Sequence, residues 1–218
     1  LEFRRVLFRS SRHHGFDESQ VKPYLTLEGM LSAAFWAAGR QYGLVFEERR
    51  DLPVAHPDAC AFGVSRDGVP LGVLWVDPFA RAGKNSLAWM EEHRTPERFL
   101  VNAPPLAAIY LTNQKPSAGE PALLTWDNAR VLFHEVGHAL HMLLNEGGYP
   151  SFGFHHVAWD IIELPSQINE RWLESPELLE RFARHYRTGE PMPRDLVDRI
   201  NAARGVDRSE EHTSELQS

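Results

Sequence analysis

The chain has 218 residues, 43% of them hydrophobic, with one cysteine and a formal charge of −7. That length and apolar content suffice for one sizeable core, while the acidic balance argues against a nucleic-acid surface. No apolar run approaches the about 18 residues that a membrane span needs, no apolar h-region marks a secretory leader, and Cys60 alone excludes an intrachain disulfide, which suits a reducing cytoplasm.

The two ends are related to each other. Residues 1–10 read LEFRRVLFRS and residues 208–217 read RSEEHTSELQ. One DNA string, CTGGAGTTCAGACGTGTGCTCTTCCGATCT, encodes the first, and its reverse complement encodes the second. That string is a common short-read sequencing adapter. Residues 1–10 and 208–218 are therefore expected to be translated adapter around a genuine insert, 11–207, and stand outside fold reasoning.

Along the insert, Leu25–Ala38 carries apolar residues at helical spacing, with Gly39 and Gly43 punctuating its end. Leu44–Leu52 is short, charged and ambiguous between helix and strand. Ala61–Ser65 and Leu71–Val76 are β-prone runs joined through Asp67-Gly68, a strong hairpin signal. Asp77–Ser86 reads as a basic loop containing Arg81 and Lys84, Leu106–Asn113 as a third strand, and Lys115–Pro121 as a turn region. A helix follows, with Thr125 or Asp127 as candidate cap and Gly147-Gly148 as its stop. Beyond the glycine- and aromatic-rich loop Tyr149–Trp159, helices are predicted over Asp160–Glu174, Pro176–Thr188 and Arg194–Ala203. The expected fold is mainly α with a small β-sheet.

The helix after the turn region contains Val131 to His141, VLFHEVGHALH. Inside it His134, Glu135 and His138 form HExxH. Histidines four apart lie one above the other on a helix face, so both imidazoles can reach one ion. Glu135 follows on the same side, placed to take a proton from an activated water. Leu132, Phe133, Val136, Ala139, Leu140, Leu143 and Leu144 form a wide apolar surface for burial.

Catalytic zinc keeps three protein ligands. The extension HExxHxxGxxH would need Gly at 141 and His at 144, where the chain has His141 and Leu144. His141 returns to the same face but lies about 10 Å from His134 along the axis, so it is read as supporting the ligands from behind or as structural. A carboxylate on a separate helix is left. Glu163 shares one face with Gln167, Glu170 and Glu174, while Ile161, Leu164, Ile168 and Trp172 share another. Such a helix can pack its apolar side inward and aim Glu163 at the histidines. Asp160-x-x-Glu163 is also capping-box spacing, so ligand and cap both remain open.

The phrases FHEVGHALH and WDIIELPSQINERW resemble the thimet oligopeptidase family of zinc metallopeptidases, and within it the bacterial peptidyl-dipeptidases (dipeptidyl carboxypeptidases) ahead of the oligopeptidase A type. RQYGLVFEER, PLGVLWVDPFAR, AWM, KPSAGEPALLTWD and RFARHYRTGEPMP extend the likeness over nearly all of the insert. The resemblance implies part of the catalytic lobe of a zincin-like (gluzincin) metallopeptidase, with two helices supplying the ligands of one zinc per chain. It implies His134, His138 and Glu163 as ligands, Glu135 as general base, Asp160 and Glu170 beside the site orienting the histidines, and Gly153 and His156 in a loop lining the cleft. It implies hydrolysis of short peptides, with release of dipeptides from free C-termini. The alternatives are an endopeptidase of the oligopeptidase A type and a zinc-binding piece inactive in isolation. Leu106–Asn113 is the expected edge strand for pairing with an extended peptide. Relatives supply oxyanion-binding tyrosine and histidine after this region, so the chain by itself is expected to be a poor catalyst. Two departures stand out: Val136 where the motif usually has Phe, and Asn85-Ser86-Leu87 in place of a glycine-rich run.

Overall fold

The structure, a computed structural model, describes residues 17–97, 103–147, 149, 153–200 and 202. Helix α1 (Leu27–Tyr42) begins where the Thr26 hydroxyl accepts from Gly29 N–H and ends at Gly43, whose φ of 70° is the left-handed cap. Gly39, expected as punctuation, lies inside the helix. Its buried face is Leu27, Met30, Ala33, Ala34, Ala37 and Ala38, and the small alanines let its backbone come close to its neighbours.

The sheet is larger than the sequence suggested. Five strands, β1 (Leu44–Glu48), β2 (Cys60–Arg66), β3 (Val69–Phe79), β4 (Trp89–Arg94) and β5 (Leu106–Asn113), run in the order β1-β2-β3-β5-β4. The β2–β3 hairpin turns at Asp67 and Gly68, with φ of 53° and 78°, as a two-residue primed turn requires. β5 pairs parallel with β3 and antiparallel with β4. It is thus an inner strand, and the expectation that Leu106–Asn113 forms the edge is overturned. The chain runs out to the rim as β4 before returning between its neighbours. Leu74, Val76, Ala107, Ile109 and Leu111 alternate inward and are buried in the core.

α2 (Trp126–Leu143) lies on that inner face, capped by Thr125, whose hydroxyl accepts from Asn128 N–H. Asp127, the other candidate cap, sits in the first turn. The helix stops at Leu143, before Gly147; Gly148 lies outside the described residues. Leu132, Phe133, Val136, Ala139, Leu140 and Leu143 are buried as their spacing predicts.

α3 (Trp159–Glu170) crosses α2, passes through a 3-10 turn at Arg171–Glu174, and is followed by α4 (Pro176–Phe182), capped by Ser175. α4 is shorter than the Pro176–Thr188 expected, and residues 194–200 are helical. The orientation of α3 departs from its amphipathic reading. Ile161, Leu164 and Ile168 are 52%, 55% and 46% exposed, whereas Ile162, Ser166, Asn169 and the following Leu173 are buried. The reason is steric. A Cβ on Gly137 would stand 2.6 Å from Ser166 Cα and 2.9 Å from Asn169 Cβ. The two helices meet backbone to backbone through small residues, and the oily stripe turns outward.

Candidate metal centre

α2 presents His134 and His138 one turn apart, and α3 brings Glu163 across to them. His138 Nε2 lies 3.1 Å from His134 Nε2, and Glu163 Oε2 lies 3.3 Å from the first ring and 3.5 Å from the second. Among the described residues these three form a His/Glu group whose ligand atoms can hold a metal ion. Atoms held about 2.0–2.1 Å from a tetrahedral ion stand about 3.3 Å apart, so the triangle has the size such an ion requires.

The capping alternative for Glu163 does not hold. The residue at the cap is Ala158, which makes no side-chain cap bond, so Asp160 is already inside the helix. Glu163 is tied instead by Ser166, whose hydroxyl donates to its carbonyl oxygen at 2.7 Å and to Oε2 at 3.3 Å. Asn169 Nδ2 donates to Phe133 O at 2.6 Å and locks α3 against α2.

The proton states point the same way. Glu170 Oε1 lies 2.6 Å from His134 Nδ1. A carboxylate oxygen at that distance accepts the Nδ1 proton, which leaves Nε2 turned toward the triangle. Two ring nitrogens and a carboxylate oxygen so close together repel unless positive charge lies among them. Burial opposes charge on His134, but hydrogen bonds to Glu163 and Glu170 outweigh it and lift the imidazole to about 9. Burial, and then the charge on His134, hold His138 down to about 4. The hydrogen bond from His134 keeps the Glu163 carboxyl below its usual range, against burial. In a metal-free protein the cluster takes up a proton where a cation fits.

Glu135 is buried, and its Oε2 has no hydrogen-bond partner. Burial pushes its carboxyl up to about 7, with the His134 charge opposing and Glu163 and Glu170 adding to the rise. A carboxylate of that basicity beside a cation site is suited to moving a proton near neutral pH.

Other expected residues fall differently. His141 does not join the triangle; its ring meets Phe154 edge-on at 5.4 Å and its Nδ1 has no hydrogen-bond partner. It lines a cavity of about 470 Å³ with Gln41, Asn145 and Leu164. Gly153 is buried and caps a 3-10 turn, Phe154–His156, in which His156 is exposed. Among the described residues of this loop, Phe154 reaches the histidines, its ring centroid 5.7 Å from that of His138. The side chain of Asp160 lies outside the described residues. Sequence reading also passed over Arg130, one turn before His134: Nη1 lies 3.7 Å from Glu170 Oε2 and Nη2 lies 3.8 Å from Asp127 Oδ1. Helical spacing places it on the histidine side, whereas nothing in the sequence singles out Phe154.

An HExxH helix facing a glutamate of a second helix, beside a mixed sheet, defines a metal-centre class found in peptidases. Residues 5–217 match the model of peptidase family M3, and the chain belongs to that family. The chain is 39% identical over 203 residues to a dipeptidyl carboxypeptidase of Salmonella typhimurium, covering 90% of this chain and 30% of that protein. It is 40% identical over 189 residues to the Escherichia coli dipeptidyl carboxypeptidase, covering 86% and 28%. An oligopeptidase A of Escherichia coli is 35% identical over 195 residues, covering 88% and 29%. The chain thus spans less than a third of the length of these curated relatives. The family resemblance read from the motifs is borne out.

Proposed function

We propose that the chain is the metal-bearing part of a zinc peptidase that cleaves short peptides and releases dipeptides from free C-termini. The observation that carries this reading is the 3.1–3.5 Å triangle of His134, His138 and Glu163, with the buried carboxylate of Glu135 next to it in sequence. Zinc fits the two-imidazole, one-carboxylate donor set; when bound it acidifies water and polarises a peptide carbonyl. Glu135 Oε2 takes up the proton of the attacking water and returns it to the leaving amine. Glu170 Oε1 holds the His134 Nδ1 proton and so keeps the Nε2 lone pair aimed at the site. Phe154 covers the rings of His138 and His141 and excludes solvent on that side.

Among the described residues, the strand at the sheet's rim beside α2 is the one that an extended peptide can join. β4 (Trp89–Arg94) is the rim of the sheet and adjoins α2, so the pairing role expected of Leu106–Asn113 passes to β4. Main-chain pairing there is indifferent to side-chain identity and gives broad sequence tolerance.

Metal analysis tests the reading. The chain should bind about one zinc. His134→Ala with His138→Ala should abolish binding, Glu163→Gln should weaken it, and Glu135→Gln should leave zinc in place while removing hydrolysis. Full zinc content in the double-alanine variant would sink the site. The dipeptidyl carboxypeptidases among the relatives favour exopeptidase action over the endopeptidase alternative. A peptide with an amidated C-terminus separates the two, because only the endopeptidase cuts it. Residues 1–10 and 208–218 are proposed to be foreign to the peptidase. Deleting both should leave zinc binding unchanged.

A further inference from the structure

We infer that Arg130 is a positioning residue for His134, acting through the carboxylate of Glu170. The inference rests on the metal reading above. His134 is gripped from both ends by α3: Glu163 Oε2 faces Nε2 at 3.3 Å and Glu170 Oε1 faces Nδ1 at 2.6 Å. These glutamates lie two helical turns apart on one face of α3, so the imidazole plane is set by that helix as much as by its own. Glu170, however, is the last residue of α3. Its side chain has rotamers to lose, and a hydrogen bond to one oxygen leaves the carboxylate free to swing about that contact.

Arg130 removes this freedom. It stands one turn before His134 on α2, and its guanidinium faces Glu170 Oε2 at 3.7 Å and Asp127 Oδ1 at 3.8 Å. These are ion pairs longer than hydrogen bonds, and the arginine side chain is 18% exposed, so water screens them only in part. One oxygen of Glu170 is turned to the histidine and the other to the arginine. Asp127, Arg130 and His134 line one side of α2, with Glu170 bridging from α3. Outer partners of this kind are worth about 10–100-fold in metal affinity.

A second effect acts in the opposite direction and makes the inference testable. A fixed positive charge near a cation site repels the cation. If Arg130 acted as a charge alone, removing it would tighten zinc. If it positions Glu170, removing it loosens zinc.

The test is competitive zinc titration of the full chain, with unfolding in excess chelator as a measure of the metal-free fold. Arg130→Ala should bind zinc about tenfold more weakly, and Arg130→Lys, which restores a cation opposite Oε2, should recover part of the loss. In a Glu170→Gln background Arg130→Ala should change affinity little, because the group through which it acts is already altered. Cobalt substituted for zinc should show a shifted visible absorption band in Arg130→Ala at saturating metal. Unchanged or tighter zinc binding by Arg130→Ala overturns the inference. So does an equal loss in the Glu170→Gln background, or a loss of metal-free stability without recovery by lysine. A wild-type chain that takes up no zinc would instead overturn the metal reading, and the inference with it.

Discussion

Gly137 sets the distance between the two helices that build the centre. A methyl group there would meet Ser166 Cα at 2.6 Å and Pro165 O at 3.1 Å, and both are backbone atoms that cannot rotate away. Two effects compete in Gly137→Ala. Alanine favours a helix interior by about 1 kcal/mol over glycine, while overpacking costs about 1–3 kcal/mol. Because the clash is with a helix backbone, the second should win by about 1 kcal/mol, and α3 should move outward carrying Glu163 and Glu170. Urea unfolding in chelator and zinc titration check this together. A variant that is more stable and binds zinc as tightly would show that the spacing is not critical.

At the scale of elements, the loop after β3 is held by a buried ion cluster. Asp77 accepts from Arg81 at 2.8 and 2.6 Å, and Lys84 Nζ donates to Asp77 Oδ1 at 3.0 Å and to the carbonyls of Asp77 and Phe79 at 2.9 Å. Burial raises the Asp77 carboxyl, but the hydrogen bonds from Arg81 and Lys84 prevail and hold it below its usual range. A carboxyl depressed in the folded state contributes stability that is present above its unfolded value near 4 and is lost as pH falls through the folded value. Asp77→Asn should therefore destabilise the chain at pH 7, where it leaves Lys84 buried without its charge partner, and the gap from wild type should narrow below about pH 4. Urea midpoints at both pH values, taken in chelator, measure it; a constant gap would refute the linkage. The same elements mark how far sequence reading reaches. Caps and turns are local chemistry, so Gly43, Thr125 and Asp67-Gly68 were legible, although the Thr26 cap was passed over because the helix was expected to begin at Leu25. β4 was not, because Trp-Met-Glu-Glu-His-Arg on a rim need not alternate oily and polar residues. β5 could be recognised as a strand, but its interior place depends on pairings distant in sequence. HExxH gave three candidate site residues by spacing alone, whereas bringing Glu163 to them needed a partner helix that periodicity oriented wrongly. Amphipathicity records which face is oily; the contact of α3 with α2 is made by the small face.

For the whole molecule, metal and fold are one equilibrium if the ligand triangle exists only in the folded chain. Zinc at a hundredfold excess over its dissociation constant would then add about 2.7 kcal/mol, a rise of about 5–10 °C in Tm for a chain this size, and chelator should reverse it. A Tm indifferent to zinc would separate the site from the fold. The outward stripe of α3 belongs to this scale too. Ile161, Leu164 and Ile168 are about half exposed, and Tyr42 is 37% exposed. Leu164 and Ile168 also border the cavity between α1, α2 and α3 that His141 and Asn145 line. Contiguous apolar surface of this kind drives association, and the curated relatives extend over more than twice as much further chain as is present here. Because these side chains already face water, replacing them forfeits little burial. Leu164→Gln with Ile168→Gln should change unfolding stability by no more than about 0.5 kcal/mol per site and should reduce self-association in sedimentation and light scattering. A loss of several kcal/mol would mean that the stripe is packed rather than exposed, and unchanged association at equal concentration would mean that the sticky surface lies elsewhere.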